Sequence, residues 1–327
     1  MKILIAGLGS IGRRHLRNLA ALGQRDVLLY RTGKGTLRSD EFDAYETVTD
    51  WREAIARRPD AVVVSNPTSL HLDVAIPAAE AGCHLLLEKP ISDSMERVDD
   101  LRRAIRQGGG RLLMGFQFRH HPTLRKVKDL VEMGELGQVL SARAYWGEYV
   151  ADWHPWEDFR VSYAVRRDLG GGVLLTLCHP FDYLRWIFGE VASARGLVGY
   201  GLDLEVEAFA ETSLQLESGL LASVHLNYLQ RPATHHLEVV GEKGHLRWNG
   251  MTGDLEIRVA SQDEWQRHPA PAGFERNEMF LAEMRHFLEV AAGSVSPICS
   301  LEDGVRVQEL VEQIRTSAHL DDHAVAP

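Results

Sequence analysis

The first 120 or so residues alternate short, wholly apolar runs with stretches whose apolar positions recur every three or four residues. Compact apolar runs suit strands buried on both faces, and the spaced pattern suits amphipathic helices between them. Five strands are predicted: Lys2 to Ala6, Val27 to Tyr30, Ala61 to Ser65, His84 to Glu88 and Leu112 to Gly115. Helices are predicted over Gly12 to Leu22, Trp51 to Arg57, Ser69 to Ala81 and Met95 to Gln107. The last is expected to open with a capping box of Asp93 and Glu96, and the third to kink at Pro77. Strand and helix in alternation mark a parallel sheet wound with helices on both faces.

After residue 120 the texture changes. A helix over Thr123 to Met133 and a strand over Gln138 to Trp146 lead into an aromatic, charged loop from Glu148 to Asp168, followed by a helix from about Val173 to Phe188. Alternating runs at Glu207 to Leu216, Leu220 to Tyr228, His235 to Val240, His245 to Trp248 and Asp254 to Val259 predict a mainly antiparallel sheet. Helices at Asn277 to Ala292 and Leu301 to Ser317 close the chain. The expected fold class is therefore α/β. A Rossmann-type doubly wound domain is expected at 1–120 and a second α/β domain at 121–327, with the terminal helix at about 301–317 packing back on the first.

Composition narrows the function. The 327 residues suit about two domains at roughly 150 residues each. A hydrophobic fraction of 45% with 25% charged residues excludes disorder and coiled coil. The net charge of −10, with no concentrated basic patch, argues against nucleic acid and anionic membranes. Cys83, Cys178 and Cys299 are too scattered for a disulfide framework, which points to a reducing, cytoplasmic setting. The apolar start is shorter than a signal-peptide core, and no stretch reaches the ~20 apolar residues of a membrane helix, so a soluble protein is expected.

Gly7-Leu8-Gly9-Ser10-Ile11-Gly12 follows the first strand directly and opens a helix. In that place Gly7 permits the tight turn, Gly9 lets a pyrophosphate approach the backbone, and Gly12 allows close packing of helix on strand. The amides at the helix start, Ser10 and Ile11 among them, would receive the phosphates. An ordinary glycine turn is the alternative. NAD-preferring sites place an acid about 20 residues further on, but here the second strand ends in Arg31-Thr32, followed by Lys34 and Arg38. Cations there suit a 2′-phosphate, so NADP is expected in preference to NAD, unless Arg31 is only a solvated loop cation.

Ligands of open parallel sheets bind beyond the carboxyl ends of the strands. That rule selects Asn66 and Pro67, then Lys89, then Gln117. A lysine there can donate to a substrate oxygen, or it can simply pair with Glu88. The loop Asp152-Trp153-His154-Pro155-Trp156-Glu157-Asp158-Phe159-Arg160, with Tyr163, Arg166 and Arg167, reads as a substrate lid or as a subunit contact. Cys178 and His179 are adjacent on a predicted helix and point about 100° apart, and His120-His121 and His235-His236 lack ligand spacing, so no metal is predicted.

Taken together, Gly7-x-Gly9-x-x-Gly12, Asn66-Pro67-x-x-x-His71, Glu88-Lys89-Pro90, Met114 to Arg119, and a glycine-rich turn feeding a helix with His179 resemble the glucose–fructose oxidoreductase, inositol dehydrogenase and rhizopine-catabolism superfamily. The resemblance spans nearly the whole chain. It implies a first domain that binds NADP or NAD through Gly7, Gly9, Ser10, Ile11, Gly12, Arg31, Thr32, Asn66, Pro67, His71, Glu88, Lys89 and Gln117. It also implies a second domain whose open-faced sheet makes homodimer or homotetramer contacts. Lys89 would touch substrate and nicotinamide, and His179 would act as acid and base toward a secondary alcohol or ketone of a sugar, polyol or sugar derivative. Substrate contacts would come from Lys89, Arg119, Trp153, Arg160, Tyr163, Thr176 and His179.

One departure matters. Many members carry an aspartate one turn before the histidine, whereas Leu175 and Thr176 stand here, and Asp182 on the following turn is the available substitute. The expected function is an NAD(P)-dependent oxidoreductase. The alternatives are a cofactor-binding sensor that lacks the chemistry, with His179 a core histidine, and more remotely an imine or tetrapyrrole reductase.

Overall fold

The computed structural model describes residues 1–33, 40–154 and 157–322. Within these residues the chain divides into two compact units, one spanning 1–117, 168–170 and 276–308, the other 118–167, 171–275 and 309–322.

In the first unit, six strands run parallel: β1 Ile3–Ala6, β2 Val27–Tyr30, β3 Glu46–Val48, β4 Ala61–Val64, β5 His84–Glu88 and β6 Leu112–Gly115. Their order in the sheet is β3-β2-β1-β4-β5-β6. The apolar runs explain the burial: every side chain of β1 and β4 is 0% exposed, as double-faced coverage requires. The order reverses direction between β1 and β4, and the connections leaving those two strands part there, which opens the crevice that doubly wound sheets use for ligands. Four helices lie between strands: α1 Ser10–Ala21, α2 Trp51–Ala56, α3 His71–Glu80, which contains Pro77, and α4 Val98–Gly108.

The expected capping box is not formed. The helix begins at Val98 with Arg97 as a cap that makes no side-chain bond, while Asp93 accepts from the Ser92 hydroxyl at 3.2 Å. Asp99 and Asp100, in the first turn, place negative charge at the positive end of the helix dipole instead. Strand β3 escaped the sequence reading because Glu46-Thr47-Val48 is a short edge strand with two exposed residues and no apolar run.

The second unit opens with α5 Pro122–Glu132, whose N-cap His121 accepts from Leu124 N through Nδ1. Strand β7 Val139–Tyr149 follows, then α6 Val173–Thr176 and α7 His179–Phe188. Seven more strands are β8 Val191–Gly199, β9 Phe209–Leu216, β10 Leu221–Asn227, β11 Leu229–Gly241, β12 Gly244–Asn249, β13 Leu255–Val259 and β14 Gln266–His268. They form one sheet in the order β14-β13-β12-β11-β7-β10-β9-β8, antiparallel except for β7 against β10. Alternation sets two faces: Ala210, Thr212, Leu214 and Leu216 of β9 are buried, and the residues between them are exposed. Helices α8 Arg276–Ala291 and α9 Leu301–Asp322 complete the described chain.

The predicted single helix over Val173 to Phe188 is two. Leu177, at ψ 31°, leaves helical geometry, and Pro180 in the first turn of α7 has no N–H with which to continue a ladder from α6.

Candidate active site

The glycine loop has the geometry its spacing implies. Gly7 sits at φ +94°, and a Cβ there would meet Asn66 N at 2.5 Å. A Cβ on Gly12 would lie 2.0 Å from the Gly7 carbonyl oxygen and 2.9 Å from Ser65 Oγ. Both positions are closed by packing. Gly9 differs, because a Cβ there would have nothing within 4 Å. Gly9 is also the N-cap of α1 and provides no side-chain acceptor, so the start of the helix presents its positive dipole end to an anion. Ser65 locks the crevice by donating to Gly7 O at 2.9 Å and to Ala6 O at 3.2 Å. An open glycine over an uncapped helix start fits a dinucleotide pyrophosphate.

At the end of β2, Arg31 lies with its guanidinium 4.5 Å from the centre of the Phe42 ring and its N–H on Val48 O, and Thr32 is exposed. Glu41 follows ten residues later, but its carboxylate is held by Arg13 and Arg17 of α1, which keep its pKa below the usual carboxylate range. Lys34 and Arg38 fall outside the described residues.

The other strand-end residues gather on the same side of the sheet. Asn66 Nδ2 donates to Leu70 O at 2.7 Å. His71 is 2% exposed, and its two ring nitrogens lie 2.8 Å from Pro90 O and 3.0 Å from Asn66 O, so it ties the Asn66-Pro67 turn to the Lys89-Pro90 turn. Burial lowers its pKa, and the two carbonyl contacts oppose that. Glu88 is turned inward, its Oε1 2.6 Å from His15 Nε2 and its Oε2 accepting from Lys89 N at 3.3 Å. Lys89 is half-buried and Gln117 is buried. His15 gave no functional signal in the sequence; it occupies the buried stripe of α1 with Gly12, Leu16 and Leu19.

In the second unit His179 is the first residue of α7, 2% exposed, with the Phe118 ring 5.0 Å away edge-on and the Trp146 ring at 5.5 Å. His235 stacks on the other side of this cluster, 4.4 Å from Trp146 and nearly parallel to it, with the Tyr183 hydroxyl 3.3 Å from its Nε2. Asp182 is engaged by Arg119, whose Nη2 donates at 2.6 Å and Nε at 3.1 Å, and both side chains are buried. Arg119 thus stands as the partner of the carboxylate that the sequence offered as a substitute orienting group.

Thr176 is buried near the Tyr228 hydroxyl, which donates to Ala164 O at 3.0 Å; burial pushes the Tyr228 pKa well up. Trp153 packs edge-on against Tyr228 at 5.5 Å, Tyr163 is half-buried, and Arg160 is exposed on Asp158 and the Phe159 ring. Pro155 and Trp156 of the loop lie outside the described residues. Trp146 and Tyr228 were not singled out by the sequence, which offered Phe118 only within the Met114 to Arg119 motif and His235 only as a rejected metal ligand. For His235 the signal existed in the alternation of β11, where it points inward with Leu237 and Val239.

A parallel sheet with an anion-ready glycine loop at its switch point defines an NAD-binding oxidoreductase of Rossmann type. Residues 1–116 match the model of an oxidoreductase family with an NAD-binding Rossmann fold, and residues 124–247 match the GFO/IDH/MocA C-terminal domain. The chain belongs to the GFO/IDH/MocA family. It is similar to levoglucosan dehydrogenase of Pseudarthrobacter phenanthrenivorans, 26% identical over 85% of this chain and 83% of the relative. It also resembles myo-inositol 2-dehydrogenase of Thermotoga maritima, 26% identical over 93% of this chain and 92% of that one. In fold it matches a levoglucosan dehydrogenase solved with NADH and levoglucosan, with a TM-score of 0.87 and 20% identity over 98% of both chains. Among the described residues no helix is long and apolar enough to cross a membrane.

Proposed function

We propose that this protein moves a hydride between nicotinamide and a secondary alcohol or ketone of a sugar, polyol or sugar derivative. The observation that carries the reading is the open position at Gly9 between two closed ones, above an uncapped helix start. The substrate class is supported by the relatives, named as dehydrogenases of levoglucosan and myo-inositol. Bound nicotinamide supplies the hydride acceptor or donor. Lys89 donates to the reacting oxygen, and His179 takes its proton in oxidation and returns it in reduction. Thr176, Tyr163, Trp153, Arg160 and Arg119 shape the sugar site. Arg31, which the sequence places at the strand end where NAD-preferring sites carry an acid, favours the 2′-phosphate of NADP. Exposed apolar side chains on the open sheet face, Leu197, Phe209, Leu221 and Val240, support assembly of copies through that sheet. The reducing setting suggested by three buried cysteines supports a cytoplasmic location.

A sensor that binds the cofactor without turnover is the second reading, motivated by Leu175 and Thr176 standing one turn before His179, where many family members carry an aspartate. The two separate in one experiment. Purified protein is mixed with each oxidised and reduced cofactor and a panel of sugars, polyols and their ketones, and absorbance of the reduced nicotinamide is followed. Turnover with any panel member supports the enzyme; tight cofactor binding with no turnover on the whole panel favours the sensor.

A further inference from the structure

Beneath the Glu-Lys-Pro turn lies a cluster that the proposed chemistry does not use. His15 of α1, Glu88 of β5 and Glu283 of α8 are each at most 5% exposed, and one side-chain nitrogen or oxygen from each lies within 4.8 Å of the others. Glu88 accepts from Lys89 N on Oε2, and its Oε1 lies 2.6 Å from His15 Nε2. Glu283 differs, because neither of its carboxylate oxygens has a hydrogen-bond partner among the described residues.

Two buried carboxylates at this separation repel, which disfavours ionising both at once. The proton belongs on the carboxyl that receives no hydrogen bond, which is Glu283. The surroundings of Glu283 agree with this. Helix α8 packs on α1, β5 and β6. Toward this cluster α1 offers His15, and Arg14, whose guanidinium lies 4.4 Å from the Phe280 ring centre. Strand β5 offers Glu88, next to Lys89, and Leu112-Leu113-Met114-Gly115 of β6 carry no titratable group. Arg276, on α8 itself, acts on Arg14. Near the cluster Gly115 leaves little room, since a Cβ there would lie 3.1 Å from Glu88 Oε2.

We propose that Glu283 is a positioning residue that stays a neutral carboxylic acid at neutral pH and so keeps Glu88, which contacts His15 and accepts from Lys89 N, in place as the anchor of the Lys89 backbone. Burial and the Glu88 charge both push the ionisation of Glu283 to higher pH. The proton on Glu283 is independent of the reading of Lys89 as a catalytic group; only its consequence for turnover rests on that reading.

The test uses the full chain and Glu283→Gln, which keeps the shape of the protonated acid. A carboxyl group with raised pKa leaves stability intact below the unfolded value near 4.3 and erodes it as pH climbs toward the folded value. The wild-type unfolding constant should therefore rise against that of the variant by up to about tenfold per pH unit above pH 5. Infrared difference spectra of wild type minus variant at pH 7 should contain a carboxylic-acid carbonyl band. Amide exchange of Lys89, read by mass spectrometry on the peptide across the turn, should accelerate in wild type at alkaline pH beyond its intrinsic rise and not in the variant. A general loss of packing would instead move all peptides alike.

Parallel stability profiles with a carboxylate band at pH 7 would overturn the proposal, as would stoichiometric metal in the purified protein by mass spectrometry. If the variant fails to fold, the wild-type infrared titration decides alone: a single buried carboxylic-acid band that disappears at alkaline pH supports the proposal, and its absence at pH 7 refutes it. None of these measurements needs turnover, so failure here is distinct from failure of the hydride-transfer reading.

Discussion

Gly9→Ala and Gly12→Ala are the same chemical change with opposite expected outcomes. At Gly12 the new methyl carbon would lie 2.0 Å from the Gly7 carbonyl oxygen, a backbone atom that cannot move without displacing the end of β1. Overpacking against a backbone of this kind costs about 1–3 kcal/mol, and a contact this short belongs at the upper end. At Gly9 the methyl meets no protein atom, and φ −68° with ψ −165° is open to any residue. Alanine is a poorer N-cap than glycine, at a cost of about 0.5–1 kcal/mol, and it lowers the entropy of the unfolded chain by about 0.4–1 kcal/mol. These nearly cancel, so the stability of Gly9→Ala without ligand should stay within about 0.5 kcal/mol of wild type. Cofactor affinity should fall at least about tenfold, because the methyl occupies the approach to the helix-start amides.

Urea unfolding gives the first quantity and NADH fluorescence titration the second. Linkage gives a third check: at an NADH concentration 100 times the wild-type Kd, the ligand stabilises wild type by about 2.7 kcal/mol and a tenfold weaker binder by about 1.4 kcal/mol. Wild-type NADH affinity in a stable Gly9→Ala protein would refute the placement of the pyrophosphate, and an undamaged Gly12→Ala protein would refute the packing argument.

Arg31→Asp should move the ratio of NADPH to NADH affinity toward NADH by about 1–3 kcal/mol; titration of both cofactors shows it, and an unchanged ratio removes Arg31 from recognition. His179→Ala and Lys89→Ala should each lower kcat by about 10²-fold, the histidine variant keeping its cofactor Kd; near-normal turnover in His179→Ala would exclude it as the proton carrier. Burial lowers the pKa of His121 to about 4. Its folded value thus lies below the unfolded value near 6.5, so its contribution to stability is complete above pH 6.5 and lost as pH falls toward 4, by about 3 kcal/mol. His121→Asn, which can still cap α5, should flatten the acid side of the stability profile, and an unchanged acid slope would contradict the burial argument.

The nucleotide end of the site was legible because its chemistry is local. Gly7, Gly9 and Gly12 lie within a single turn, and the residues after β4, β5 and β6 follow from one topological rule applied to apolar runs. The surroundings of His179 were not legible in the same way. Trp146 comes from β7, His235 from β11, and Phe118 precedes α5, so their meeting depends on sheet order rather than on any spacing along the chain. The break between α6 and α7 was also hidden, since Val173 to Ile187 is apolar enough to read as one buried helix. Glu283 left a trace, a carboxylate within the buried stripe Met279, Phe280, Met284 and Phe287, but nothing in that stripe names its neighbours.

By itself the sequence determined the alternation of strands and helices, the class of the first sheet and the phosphate loop, because burial periodicity and glycine stereochemistry act over a few residues. Tertiary structure alone decided that Arg119 takes Asp182, that His71 bridges two turns, and that His15, Glu88 and Glu283 share one buried site. These pairings join elements far apart in the chain. A polar group's partner and its protonation depend on distance and dielectric in space, and neither is written in the order of the residues.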